Sequence, residues 1–290
     1  MTVKISWECD SKVISKTSLY KSTEEIDVEN LPDPLFTSPS LVKEYLDEDI
    51  ETFVKYYYLV SVETNDHFIY FSPKVDIIPK DYSNFLVVHL PFENSVTEDK
   101  GIENITWSIQ NGSPVVIDDV DNIGNYIKTG SFRGGILKSN KNLTSLGVED
   151  FTIQILTKPF KKITNSIWLW ARYLAIGTNS NSGYLHIASN NYQETGRVHT
   201  ESKVGWITDS VNNSYPDNVY KTISIVRKDG VFYQYSDDTL VGSNFNSRTY
   251  SIPSLPLFVG GNSVNREWIN ANIQDIKIYK GIAIFPDELQ

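Results

Sequence analysis

Short runs of alternating apolar and polar residues recur along the chain, separated by turn-forming residues, and each such run predicts a half-buried strand. In Val3-Lys4-Ile5-Ser6-Trp7 the residues Val3, Ile5 and Trp7 fall on one face. A second strand is predicted near Thr17–Lys21. Tyr56–Val62 gives a stronger one, with Tyr56, Tyr58, Val60 and Val62 facing one way. His67–Ser72 and Val75–Ile78 close this first set. Asp27–Ser40 carries Pro32, Pro34 and Pro39, too many for a central strand. Ser40–Leu46 reads as a loop or brief turn.

The polar stretch Pro79–Asn84 then interrupts the pattern, and a fresh apolar run starts at Phe85. The junction predicts two domains, residues 1–80 and 85–290, both of ordinary size. In the second, Thr222–Arg227 and Val231–Tyr235 alternate on either side of Lys228-Asp229-Gly230. Asp-Gly between two such runs is a strong hairpin signal, because a type I′ turn needs positive φ at both central residues. Asp237-Asp238 marks a second turn. Within Ile273–Tyr279 strict alternation puts Gln274, Ile276 and Ile278 on one face and Asp275, Lys277 and Tyr279 on the other. Phe151–Leu156 and Ile167–Ile176 complete the core strands. The fold class expected is all-β, built as two sandwiches.

Composition sharpens this picture. The chain has 17 Tyr and 13 Phe against a single Met, a bias toward pleated surfaces rather than long helices. A net charge of −10 argues against binding a phosphate backbone, and Lys161-Lys162 is the longest basic run in the body of the chain. Cys9 is alone, which excludes an internal disulfide or a cysteine-built zinc site and leaves it as a small buried hydrophobe. No apolar stretch approaches the roughly 20 residues of a membrane-spanning helix. Met1 leads straight into a strand-like run, so no signal peptide is expected and synthesis is expected in a cytoplasm.

Several segments carry a family likeness. In order they are FLVVHLPFENSVTEDKG (Phe85–Gly101), SFRGGIL (Ser131–Leu137), EDFTIQILTKP (Glu149–Pro159), YKTISIVRKDGVFYQYSDDTLVGS (Tyr220–Ser243), PLFVGG (Pro256–Gly261) and IQDIKIYKGIAIF (Ile273–Phe285). Their order resembles the concanavalin A-like lectin/glucanase superfamily, in the laminin-G/pentraxin-like form common in bacteriophage virion proteins. The first 80 residues resemble a fibronectin type III-like sandwich. KISWECDS supplies its strand-B Trp7, YYYLVSV the tyrosine-corner residue Tyr56, and IYFSPKVDI its final strand. The resemblance implies a non-enzymatic virion protein of a phage tail or capsid, located in the virion. Its partners would be host-surface glycan, other virion proteins or further copies of itself. A purely structural decoration protein and a jelly-roll glycoside hydrolase are the alternatives.

Candidate chemistry is sparse. Glu25-Ile26-Asp27-Val28-Glu29 is similar to the Glu-x-Asp-x-Glu motif of jelly-roll glucanases, whose paired carboxylates cleave glycosidic bonds. It lies well before the jelly roll, however, and reads as an exposed acidic strand edge or loop. His67, His89, His186 and His199 come without a Gly-x-Ser-x-Gly elbow or a metal-type spacing. The resemblance implies a structural calcium with Asp99 and Asp275 among its ligands. Glu93-Asn94 departs from the family's Asp-Gly, and Lys277, on the same face as Asp275, offers that carboxylate another partner. Asp118–Asn122 reads as a solvated acidic loop. Sugar recognition asks for aromatic platforms beside planar hydrogen-bonding groups. Trp206, Trp268, Arg266, Tyr215 and Arg197 are the candidates expected on loops. Trp168 and Trp170 read as packing residues of a strand.

Overall fold

The computed structural model describes residues 1–9, 14–92, 95–118, 125–128, 135–159, 170–178, 183–190, 198–202, 205–210, 214–216, 218–244, 249–261, 269 and 271–288. The chain forms two compact units, Met1–Tyr82 and Ser83–Gln290. Both are all-β.

The smaller unit contains β1 (Val3–Ser6), β2 (Ile14–Ser22), β3 (Pro34–Ser38), β4 (Glu44–Asp47), β5 (Tyr56–Thr64), β6 (Ile69–Phe71) and β7 (Val75–Ile77). β1 pairs with β4, and a second sheet runs β3-β2-β5-β6, with β7 also on β5. Sequence alone assigned residues 40–46 to a loop, but Glu44–Asp47 is a strand, because β1 needs a partner for its backbone groups. The proline-rich segment does supply a strand, β3, at the sheet edge, where a missing N–H is tolerated.

Leu19, Tyr56, Tyr58 and Val60 form the buried centre between the two sheets, with Ile5, Trp7 and Phe36 packed around them. So small a core supplies limited stabilisation, and polar contacts add to it. The Tyr56 hydroxyl accepts a hydrogen bond from Glu51 N at 2.9 Å, the tie a tyrosine corner makes. Asp47 is only 1% exposed. Its Oδ2 accepts from the Tyr58 hydroxyl at 2.7 Å and pairs with Lys21 Nζ at 2.9 Å. Burial, followed by Asp47, pushes the Tyr58 hydroxyl's pKa upward, so it remains a donor.

The described residues of the larger unit contain β8 (Leu86–Leu90), β9 (Trp107–Asn111), β10 (Val115–Asp118), β11 (Asn125–Lys128), β12 (Ile136–Ser139), β13 (Phe151–Pro159), β14 (Trp170–Ile176), β15 (Leu185–Asn190), β16 (Val198–Ser202), β17 (Gly205–Asp209), β18 (Lys221–Lys228), β19 (Val231–Ser236), β20 (Thr239–Asn244), β21 (Leu257–Val259) and β22 (Ala271–Lys280). One sheet runs β10-β11-β22-β13-β18-β19-β20, with β8 also paired to β22. The other runs β17-β16-β15-β14-β21-β12-β9. Phe151, Ile153, Ile225, Ile276 and Ile278 of the first sheet share one core with Leu137, Leu174, Leu185, Ile187 and Val259 of the second. This is a β-sandwich, each strand burying alternate residues.

The β18–β19 hairpin turns at Asp229 (φ 51°) and Gly230 (φ 79°), as the Asp-Gly signal predicts. β22 departs from strict alternation. Leu156 pairs with Asp275 but Thr157 with Ile273, so Gln274 is an extra residue and Ile273 takes the inward place.

Replacing Asp47 by Ala leaves the Lys21 ammonium and the Tyr58 hydroxyl without their buried acceptor. The variant is expected to lose about 3 kcal/mol of smaller-unit stability, and Tyr58→Phe about 1 kcal/mol. Urea unfolding followed by tyrosine and tryptophan fluorescence measures both.

Candidate functional site on the seven-stranded sheet

An arginine in the middle of an apolar strand is costly to bury unless its charge and donors are matched. Arg172 lies within Trp170–Ile176 and is 1% exposed. A bulge at Tyr173 sets its direction: Arg172 pairs with Ala188 and Leu174 with Ile187. The extra residue lets Leu174 and Ile176 stay in the core while Arg172 turns to the outward face of the sheet. On that face His186 of β15 stands opposite Glu201 of β16.

The three side chains are connected. Arg172 Nε donates to His186 Nδ1 at 2.8 Å, and Arg172 Nη2 lies 3.5 Å from Glu201 Oε2. Since Nδ1 accepts, the proton of neutral His186 sits on Nε2, which faces the Gly177 carbonyl at 3.2 Å. Burial, and then the Arg172 charge, pull the His186 pKa down to about 3. The Tyr184 ring stacks on His186, with centroids 4.4 Å apart, and its hydroxyl donates to Glu201 Oε1 at 3.3 Å. Burial, then Glu201, raise the Tyr184 pKa and keep that hydroxyl protonated. Glu201 is the member that reaches solvent, its side chain 22% exposed. A second bulge, between Thr200 and Glu201, brings Glu201 into register with Trp206 of β17.

The site is thus a carboxylate oriented by a buried guanidinium and a tyrosine hydroxyl, presenting an acceptor edge outward. β14, β15 and β16 carry one carboxylate, Glu201, and the adjoining β17 carries a second, Asp209, in register with His199.

The residues singled out from sequence are distributed differently. Trp206 is on β17, a strand rather than a loop, with its side chain outside the described residues. Trp268, Arg266, Arg197 and Trp168 lie outside the described residues, and Trp170 opens β14 with its side chain outside them. Tyr215 is corrected: it is 2% exposed, and its hydroxyl donates to the Tyr235 carbonyl at 2.6 Å, so it packs in the core and offers no platform. Cys9 is half-buried.

Glu25, Asp27 and Glu29 are exposed but form no strand; they surround a tight turn closed by the Asp27–Asn30 bridge. Asp27 Oδ1 accepts from Glu29 N, and Glu25 pairs with Lys74.

Asp99 and Asp275 do not fit a calcium site. Asp99 Oδ1 accepts from His89 N and Gly101 N, both at 2.8 Å, and Oδ2 from Ile105 N at 3.1 Å, so three of its roughly four lone-pair sites are taken by backbone amides. Asp275 pairs with Lys277 Nζ at 2.9 Å and faces His89 Nε2 at 3.2 Å. Among the described residues no three His, Cys, Asp or Glu gather around a point. In the acidic run that starts at Asp118, residues 119–122 lie outside the described residues.

Sequence reasoning missed Arg172, His186 and Glu201. The available signal was a charged or titratable residue inside an otherwise apolar strand, as in WARYLAI and LHIAS.

No protein-family model and no curated protein sequence matches the chain. Solved structures do share the fold. Domain 4 of AbnA, an extracellular GH43 arabinanase from Geobacillus stearothermophilus, solved with arabinotriose, is 15% identical with a TM-score of 0.54. The match covers 70% of this chain and 96% of that domain. The binding domain of botulinum neurotoxin DC, solved with SialylT, is 15% identical with a TM-score of 0.54 over 71% of this chain and 50% of its own. The binding domain of Paraclostridial Mosquitocidal Protein 1 is 17% identical with a TM-score of 0.54, over 72% and 52%. The chain spans about half the length of the toxin domains it matches. At these identities the likeness is one of fold, a β-sandwich.

A His186 pKa near 3 in the folded chain, against about 6.5 when unfolded, means that the unfolded chain binds the proton first. The contribution is complete above pH 6.5 and is lost as pH falls toward 3. At pH 5 the loss is about 2 kcal/mol. Urea unfolding at pH 7 and pH 5 measures it, and His186→Gln, which does not titrate, is expected to lack that part of the difference.

Proposed function

We propose that the protein is a non-enzymatic bacteriophage virion protein whose larger unit binds a host-surface glycan through the outward face of the seven-stranded sheet. The observation that carries this reading is Glu201, a partly exposed carboxylate fixed by Arg172 and Tyr184 and in register with Trp206. Sugar hydroxyls are bound by planar acceptors and donors held rigidly beside aromatic rings, because little side-chain freedom is then lost on binding. The AbnA and neurotoxin domains, solved with arabinotriose and SialylT, support the sandwich as a scaffold for such ligands. The virion setting rests on the order of sequence features that resembles phage proteins.

A second reading, a structural subunit that holds virion parts together, is favoured by a different observation. Ile69, Tyr70 and Phe71 of the edge strand β6 in the smaller unit, and Phe68 just before it, are all exposed, an apolar edge suited to another protein.

Binding of the purified protein to intact host cells and to a glycan array tests the two. Trp206→Ala and Glu201→Gln are each expected to weaken cell and glycan binding about tenfold, measured on protein that circular dichroism shows to be folded, since Glu201→Gln also removes the charge partner of the buried Arg172. Full binding by both variants would sink the glycan site. No binding by wild type, with stable association to virion proteins, would leave the structural subunit.

A further inference from the structure

The outward face of the eight-stranded sheet is divided by the C-terminal segment. Gly281 (φ 80°) turns the chain after β22, and Ile284 N donates to Thr152 Oγ1 at 2.7 Å. Phe285 packs edge-on against Tyr233 and Tyr235, with centroids 5.7 and 6.1 Å away. The short 3-10 turn Pro286–Glu288 follows, its Glu288 carboxylate accepting from Phe285 N. Beside this strap the face opens into a groove of about 580 Å³ whose lining includes Pro286 and the Asp237-Asp238 turn.

The floor of the groove is ordered by register. Lys277, Gln154 and Ser224 form one row across β22, β13 and β18, and Asp275 lies in the next row beside Leu156. Strands sit about 4.8 Å apart, so a row of three spans about 10 Å, roughly two pyranose rings.

Two observations mark this floor as a binding surface. Ser224 is fully buried in the groove floor, and its Oγ has no hydrogen-bond partner. Asp275 Oδ1 faces His89 Nε2 at 3.2 Å but accepts no hydrogen bond from it, while its other oxygen holds Lys277. Burying an unpaired polar group costs about 1–3 kcal/mol, a cost that a ligand donor or acceptor in the groove removes. The lining charges are Asp237, Asp238 and Asp275 against Lys277, an acidic surplus. Lys221 balances Asp237 at 2.6 Å, while Asp238 accepts from the Thr239 hydroxyl at 3.4 Å.

We propose that this groove binds a short saccharide carrying free ammonium groups, a hexosamine oligomer that is not N-acetylated. Its ammonium groups face Asp238 and Asp275 Oδ1, and its hydroxyls bond Ser224 and Gln154. The acidic surplus selects against uronates and sialic acids. The floor is too long to be filled by one lysine side chain. The proposal is independent of the site around Glu201.

Calorimetric titration of the full chain with glucosamine trimer tests it. The N-acetylated trimer and Nα-acetyl-lysine-N-methylamide serve as the comparison ligands. Glucosamine trimer is expected to bind at least about tenfold more tightly than either. Ser224→Ala and Asp238→Asn are each expected to weaken it about five- to tenfold. Asp238 is on an exposed turn, so the folding of that variant is not at stake. Glu201→Gln is expected to leave this binding unchanged while reducing cell binding, which separates the two sites. Equal affinity for the acetylated trimer, no measurable binding, or binding unmoved by both groove variants would overturn the proposal. Tight binding of the lysine derivative would overturn it too, replacing the sugar with a protein ligand.

Discussion

The register of β22 against its neighbours is the constraint on which the larger unit depends. This strand pairs with β13 along its length, with β8 near the start of the unit, and with β11. A slip of one residue would send Ile276 and Ile278 outward and carry Asp275 and Lys277 into the core. Neither exchange is tolerable, since it would expose two large side chains and bury two charges at once. The bulge at Gln274 lets both halves of the strand satisfy this rule. It keeps Ile273 inward on one side and Ile276 inward on the other. The rows of side chains on the outward face follow from that alignment.

Bulges also mark the limit of what sequence made legible. The β18–β19 hairpin could be read from residues alone because Asp-Gly has a backbone requirement of its own. Tyr56 could be read because a tyrosine corner is local, its hydroxyl reaching Glu51 five residues upstream. Tyr173, Gln274 and Ile207 have no comparable signature. Each is an extra residue only relative to a partner strand distant in sequence. Strict alternation places Arg172 with Leu174, and only the pairing with β15 shows that the two face opposite ways. The cluster of Arg172, His186 and Glu201 was therefore invisible as a cluster, one residue on each of three strands. Tyr215 failed for the opposite reason. Its polar neighbours read as a loop, and the Tyr235 carbonyl that buries it lies on β19.

The two outward faces of the sandwich treat charge differently. On the seven-stranded sheet, Arg172 is withdrawn from solvent and meets a carboxylate and a neutral imidazole, so the network is rigid and its chemistry appears only at Glu201. Such an arrangement fixes direction more than it adds stability, because desolvation of the guanidinium consumes much of the attraction. On the eight-stranded sheet Asp237 and Asp238 lie on a surface turn and Asp275 is only partly buried, so they act through an open groove. An overall charge of −10 says little about either face.

The joint between the first and last strands of the larger unit shows how side chains can close a sandwich that the sequence resemblance would close with calcium. Gly101 packs onto β8 so closely that an added Cβ would meet the Val87 carbonyl oxygen at 2.4 Å, so a glycine is required there. The backbone that Gly101 permits brings three amides to Asp99, fixing the opening segment with donors a cation would otherwise replace. Across the β8–β22 pairing, His89 is opposite Lys277, and Asp275 lies within reach of both side chains. A divalent cation would compete with an ammonium on one carboxylate and with three amides on the other. The positive charge needed at this joint is already supplied by Lys277, two residues along the strand from Asp275, on the side of the sheet that the register of β22 dictates.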